Sequence, residues 1–291
     1  VAHDSADVWC RRGLFSVRLD GRLDQQSGVP PDYFAATGQL WGTPVYRWWR
    51  HRLGGFRWWL QRLERQLDLF DLLRLDHFRA LEAYWSVPGD AATAEHGQWQ
   101  PSPGQALLGR LYRLCDRQGR LLQGRLPLIA EDLGVITPAV EALRDRFQLP
   151  GMKILQFAFD GADDNPYLPS NYVGDNWVVY TGTHDNATTL GWWRQLDHDG
   201  RARVRQAIGA DVQAPGWQLL ELGLRSQAEL VIVPLQDLLE LGDEARFNTP
   251  GTARGNWSWR LERPVASLSD KIHGLGAMAE RYGRDCSTAA P

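Results

Sequence analysis

Four short apolar runs in this chain end in a carboxylate, and that pattern narrows the possible folds more than any other feature. The run around Leu72-Leu73-Arg74-Leu75 meets Asp76, and Leu126-Pro127-Leu128-Ile129-Ala130 meets Glu131 and Asp132. Lys153-Ile154-Leu155-Gln156-Phe157-Ala158-Phe159 meets Asp160, and Trp177-Val178-Val179-Tyr180-Thr181 leads to His184 and Asp185. A fifth run, Leu230-Val231-Ile232-Val233-Pro234-Leu235, stops at Gln236-Asp237. Segments of helical periodicity separate the runs, at 105–116, from Thr137-Pro138 to about Phe147, and near 187–196, 200–209, 216–227 and 268–282. Strands alternating with helices predict a parallel sheet with crossover helices. Ionisable residues at the ends of apolar strands are what a barrel presents at the C-terminal rim of its sheet.

The stretch 70–79 shows the argument in detail. Side chains alternate along a strand, so Phe70, Leu72, Arg74 and Asp76 are expected on one face. Such a pair is costly to bury unless both charges are satisfied. A plain ion pair at a strand end would leave the same residues. Elsewhere, 45–66 reads as one basic helix. Residues 1–45 and 83–99 read as loop, rich in Gly, Pro and aromatics. The tryptophan pairs Trp48-Trp49 and Trp58-Trp59 read as core.

With 291 residues, the chain suits one large α/β domain or two small ones. A net charge of -3 gives no reason to expect a nucleic-acid partner or an acidic lipid surface. No run approaches the ~18 apolar residues of a membrane span. Cys10, Cys115 and Cys286 form no CxxC pair, which suits a reducing compartment such as the cytoplasm. The sequence opens on Val1-Ala2-His3-Asp4, with neither an initiator Met nor a signal-peptide core, so preceding sequence is expected.

A row of strand-end carboxylates has two main explanations. One is a metal site, for which His77 and His184 are available beside Asp76 and Asp185. The other is glycoside chemistry, which needs a carboxylic acid and a carboxylate flanking the scissile bond. Trp41, Trp85, Trp99 and Trp257 lie in Gly/Pro-rich segments, where a flat ring with an N–H suits stacking on sugars. These aromatics favour sugar over metal.

Three segments carry a resemblance. Arg74-Leu75-Asp76-His77-Phe78-Arg79, Ala130-Glu131-Asp132-Leu133-Gly134 and Thr183-His184-Asp185-Asn186 resemble the catalytic segments of the 4-α-glucanotransferases, the amylomaltase or disproportionating-enzyme family of the α-amylase superfamily. Gly28-Val29-Pro30-Pro31-Asp32-Tyr33-Phe34 through Trp41-Gly42 resembles that family's active-site loop, and Asn248-Thr249-Pro250-Gly251-Thr252 with Asn256-Trp257 its C-terminal segment.

The resemblance implies a (β/α)₈ TIM barrel of the α/β class. The barrel would be incomplete here, with about strands 4–8 present, so that 1–291 is the C-terminal portion of one catalytic barrel and 28–42 its active-site loop. It implies transfer of α-1,4-glucan segments between maltooligosaccharides with retention, no cofactor and no metal. An N-terminal segment of the same barrel would be the chain's structural partner. Asp76 would be the nucleophile and Glu131 the general acid and then base. Asp185 would hold sugar hydroxyls and stabilise the oxocarbenium-like transition state. Arg74 would orient Asp76, while His184, Asp160 and Asn248 would contact sugar. Tyr33, Phe34, Gln39 and Trp41 would line the acceptor side.

His77 is placed among the substrate-binding residues and is expected to brace the strand end rather than carry a proton, Asp132 to serve as a structural acceptor, and Asp160 to contact sugar or simply cap a turn. Glu131 is expected to have a raised pKa. Where the family usually has Gly after Phe78-Arg79, this chain has Ala80, which would crowd the turn if a positive φ were needed there. An α-amylase-type hydrolase, and an inactive glucan-binding fragment lacking its first barrel strands, are the alternatives.

Overall fold

Each apolar run contributes a strand in a computed structural model that describes residues 1–31, 36–252 and 254–284, but the 153–159 run is strand only to Ile154 and turns into a 3-10 helix at Leu155–Phe157, so Asp160 does not end a strand. The strands are shared between two compact units, Val1–Gly151 and Met152–Pro291.

The first unit comprises α1 (Ala6–Cys10), β1 (Gln25–Val29), β2 (Gln39–Pro44), α2 (Trp48–Leu53), α3 (Arg57–Leu67), β3 (Leu73–Leu75), β4 (Ala83–Pro88), β5 (Gln98–Pro101), α4 (Gly104–Arg117), β6 (Leu128–Ala130) and α5 (Pro138–Arg146). β3 and β6 pair in parallel, with Leu73 opposite Leu128 and Leu75 opposite Ala130. The register brings both strands to an end at the same level, so Asp76 and Glu131 emerge together. Beneath them, Leu107, Leu108, Leu111 and Cys115 of α4 face Leu126, Leu128, Ala130, Val140 and Leu149 in one buried cluster. The spacing of the four α4 residues is the apolar stripe of a core-facing helix.

β1, β2, β4 and β5 form a second, antiparallel sheet in the order β2-β1-β4-β5. This corrects the reading of 1–45 and 83–99 as loop. The strands are four to six residues long and carry Gly, Pro, Gln and Ser in place of an apolar run. They are held by cross-strand pairs, Trp85 with Trp99 and Tyr84 with Gln100, which no single strand displays. Gly28 is needed here, because a Cβ at this position would lie 2.1 Å from the Gln39 carbonyl oxygen.

Two further readings change. The strand of the 70–79 stretch begins only at Leu73, and Phe70 is exposed, with its N–H donated to the Gln66 carbonyl after α3. The 45–66 helix is two helices, broken at Gly54-Gly55-Phe56, where Gly55 and Phe56 take positive φ. Trp58 is buried against Phe15, whereas Trp49 is exposed and lies under Arg50.

The second unit holds β7 (Gly151–Ile154), which starts at the boundary, then β8 (Trp177–Tyr180), α6 (Thr189–Gln195), α7 (His198–Ile208), α8 (Pro215–Leu224), β9 (Leu230–Ile232), α9 (Leu235–Leu238) and α10 (Ser269–Arg281). The strand order is β7-β8-β9, and β8 pairs with β9 in parallel, Tyr180 opposite Ile232. β9 stops early because Pro234 opens α9. The Asp197 side chain accepts the Gly200 N–H at 2.7 Å to cap α7, and Gly209 ends that helix in the left-handed region. Among the described residues, no helix is long and apolar enough to cross a membrane.

Candidate active site

In the first unit the site is built on a tight turn of the backbone after β3. His77 adopts φ 48°. This turns its N–H onto the Glu131 side chain, 2.6 Å from Oε2, before Phe78–Leu81 forms a 3-10 turn. The Leu133 N–H donates to Glu131 Oε1 at 3.0 Å. The Glu131 main chain is tied as firmly, its N–H to the Leu75 carbonyl at 3.1 Å and its carbonyl to the Phe78 N–H at 3.0 Å. Burial pushes the Glu131 carboxyl above the usual carboxylate range, and the Asp76 charge adds to the shift. The two backbone N–H donors and the Arg74 charge hold it back. The expected direction for an acid catalyst is therefore present.

Arg74 donates from Nη1 to Asp76 Oδ1 at 2.7 Å, with the arginine side chain 28% exposed and the aspartate 77% exposed. The cation is anchored while the carboxylate is open to approach. The His77 ring stands edge-on to Trp41, with ring centroids 4.7 Å apart and planes at 89°. Burial pushes His77 down to about 4, so its imidazole is neutral near neutral pH. Trp41 Nε1–H donates to Gln39 Oε1 at 3.3 Å. These two are i, i+2 neighbours on β2 and share a face. Gln39, Trp41, Arg74, Asp76, His77 and Glu131 thus form a connected set. Tyr33 and Phe34 lie outside the described residues.

Two neighbours behave structurally. Asp132 accepts from Arg144 Nη1 at 2.5 Å with side chains only 5% and 11% exposed, which fastens the Glu131 strand end to α5. Ala80 sits inside the 3-10 turn, and the positive φ falls on His77, so the missing glycine costs nothing at position 80.

In the second unit, Asp185 is held from several sides. Asn248 Nδ2–H donates to its Oδ1 at 2.6 Å, Arg246 donates to its carbonyl at 2.6 Å, and His184 Nε2 lies 3.2 Å from its Oδ2. The Asn186 side chain accepts from the Thr183 N–H and hydroxyl at 2.9 and 2.7 Å, which closes the 183–186 turn. The exposed Trp257 ring lies 5.3 Å from the His184 ring and 6.0 Å from Phe247. The expected group of His184, Asp185 and Asn248 is brought together, and Arg246 and Phe247 join it without having been anticipated. Arg246 had one faint signal, a cation two positions before Asn248. Asp160 is exposed and accepts the Ala162 N–H at 2.9 Å, the turn cap that was one of its two expected roles. Among the described residues, no group of three or more His, Cys, Asp or Glu is arranged to hold a metal ion.

Fold and site together define an α/β chain with carboxyls presented at the ends of its parallel strands. Known proteins narrow that class. The family model described as 4-alpha-glucanotransferase matches residues 1–266. A 4-alpha-glucanotransferase of Synechocystis sp. is 49% identical over 287 residues, 98% of this chain and 55% of that protein. One from Thermus thermophilus is 48% identical over 293 residues, 98% of this chain and 56% of that protein. The solved amylomaltase of Streptococcus agalactiae in complex with acarbose superposes with a TM-score of 0.89 at 34% identity, over 98% of this chain and 56% of that one. The chain belongs to the 4-alpha-glucanotransferase family. It spans about half the length of the curated relatives it matches.

Proposed function

We propose that this chain carries the catalytic residues of a 4-α-glucanotransferase that moves α-1,4-glucan segments between maltooligosaccharides with retention. The observation that carries the reading is the pairing of an exposed, arginine-bound carboxylate, Asp76, with a buried carboxyl of raised pKa, Glu131, at level strand ends. The Asp76 carboxylate attacks the anomeric carbon and forms a glycosyl ester, while the Glu131 O–H gives its proton to the departing glycosidic oxygen. An incoming sugar hydroxyl then displaces Asp76 as Glu131 takes its proton. Retention needs the two carboxyl groups about 5–5.5 Å apart.

Asp185 is assigned the sugar hydroxyls and the positive charge of the transition state. His184, Asn248 and Asp160 are assigned further sugar contacts, and Tyr33, Phe34, Gln39 and Trp41 the acceptor. The acarbose bound to the Streptococcus agalactiae amylomaltase supports a saccharide ligand. The strands are proposed to belong to a (β/α)₈ barrel completed by further sequence, a reading supported by the share of the relatives that the chain spans. A cytoplasmic setting is supported by the free thiols of Cys10 and Cys115.

Maltotriose tests the reaction. Glucose plus longer chains marks transfer, shortening alone marks a hydrolase, and no turnover in the complete natural chain defeats the proposal.

Trp41, packed on His77, keeps water from the glycosyl ester while a sugar stacks beside it. Trp41→Ala should therefore lower transfer several-fold more than hydrolysis when both products are counted; equal losses would remove the residue from that role.

The pH dependence follows from Glu131. Its raised pKa keeps the acid form at higher pH than an exposed glutamate would, and the first step slows as pH rises through that pKa. Glu131→Gln should lower kcat by about 10²–10⁴ and flatten this alkaline limb. A limb that survives the substitution would belong to another group.

A further inference from the structure

The carboxylate of Asp237 has no place in the chemistry proposed above, yet it is the most completely engaged acid in the second unit. It is 2% exposed. Its Oδ2 accepts the hydroxyls of Thr181 and Thr189 at 2.6 and 2.7 Å, and its Oδ1 accepts the Thr189 N–H at 2.8 Å. Thr181 and Thr189 are themselves fully buried. Among the described residues no cation pairs with Asp237. A buried carboxylate held only by neutral donors is expensive unless each oxygen is satisfied.

What the three hydrogen bonds hold together is specific. Thr181 directly follows β8, and Thr189 opens α6. Between them run Thr183, His184, Asp185 and Asn186. One side chain thus pins both ends of the segment that presents Asp185. A second buried group works beside it: Gln156 Nε2–H donates to the Ala187 carbonyl at 3.0 Å and reaches Thr189 Oγ1 at 3.5 Å. Position 182 is glycine because a Cβ there would lie 2.6 Å from Gln156 Nε2.

We propose that Asp237 is a positioning residue for glucan transfer, clamping both ends of the 181–189 segment so that Asp185 and His184 are fixed before the sugar arrives. The inference rests on the role proposed for Asp185. Holding a group within a fraction of an ångström of its working place is worth large factors in rate, because a small misplacement is paid in the transition state.

The test uses Asp237→Asn, Thr189→Val and Thr189→Ser in the complete natural chain, each assayed on maltotriose well below its own Tm. Asp237→Asn puts an amide N–H₂ where one of the two oxygens was. Thr189→Val removes a hydroxyl at nearly constant volume, and Thr189→Ser restores it. Asp237→Asn and Thr189→Val should lose at least tenfold in kcat with KM within about twofold, while Thr189→Ser stays within about twofold of the parent. Hydrogen exchange should rise at the amides of 182–188 in the first two variants and not in β8. Asp185→Asn is the control for the underlying reading: if it keeps near-normal turnover, the role of Asp185 is wrong. If Asp185→Asn is inactive while Asp237→Asn and Thr189→Val keep kcat within twofold and unchanged exchange, the clamp is wrong. Should Asp237→Asn fail to fold, the two threonine variants decide by the same thresholds.

Discussion

Asp76→Asn should abolish turnover, with kcat down by roughly 10⁴ or more, the scale seen when a nucleophile is removed from a catalytic set, while maltooligosaccharide binding stays measurable. The amide keeps the shape and can still sit near Arg74 Nη1, which donates to Asp76 Oδ1 at 2.7 Å. What it loses is the anionic oxygen that attacks the anomeric carbon to form the glycosyl ester. Calorimetric binding together with maltotriose turnover checks both halves of the expectation. Near-normal rates in the variant would transfer the nucleophile to another group. The effect should exceed that of Glu131→Gln, because an acid catalyst can be partly replaced by solvent or by an activated leaving group and a nucleophile cannot.

The second large effect concerns stability. Arg144→Ala should cost about 3–5 kcal/mol, the range for breaking a buried ion pair from one side, read as a fall in the denaturant midpoint. The Asp132 carboxylate is only 5% exposed, and this variant removes the guanidinium that donates to it from α5. Replacing both members with apolar residues of similar volume should cost much less. A cycle built from Asp132→Leu, Arg144→Met and the double variant separates the two cases. An Arg144→Ala loss below about 1 kcal/mol would place the pair among weak surface contacts.

The parts of this molecule that could be read from its residues were those where composition and geometry coincide. β6 and β8 are apolar throughout and buried, so their runs stand out, and the charges that follow them mark where they end. The amphipathic α4 was legible for the same reason. The antiparallel sheet was not, because Gln25-Gln26-Ser27-Gly28-Val29 and Gln98-Trp99-Gln100-Pro101 carry no alternation strong enough to distinguish them from loop. Their stability comes from partners distant in sequence, as when Gln25 pairs with Pro88. Gly54-Gly55 did announce the break between α2 and α3, a signal outweighed by the continuous tryptophan and arginine pattern on either side.

The candidate site divides along the same line. Asp76, Glu131, His184, Asp185 and Asn248 sit in short distinctive strings, whereas Arg246 and Asp237 act through contacts made by folding. Asp237 ends a run like the other acids, but nothing in its neighbours indicates that Thr181 and Thr189 will close on it.

Both hydrogen bonds to the Glu131 carboxyl come from main-chain N–H groups, those of His77 and Leu133. No side-chain replacement can delete them short of proline. The acid's proton affinity is therefore partly insulated from sequence drift around it. Natural variants and engineered ones can retune it only through how tightly its pocket is closed or through the charges on Arg74 and Asp76. A carboxyl held in this way adapts to a new pH by changes in its walls, leaving the grip on it as inherited.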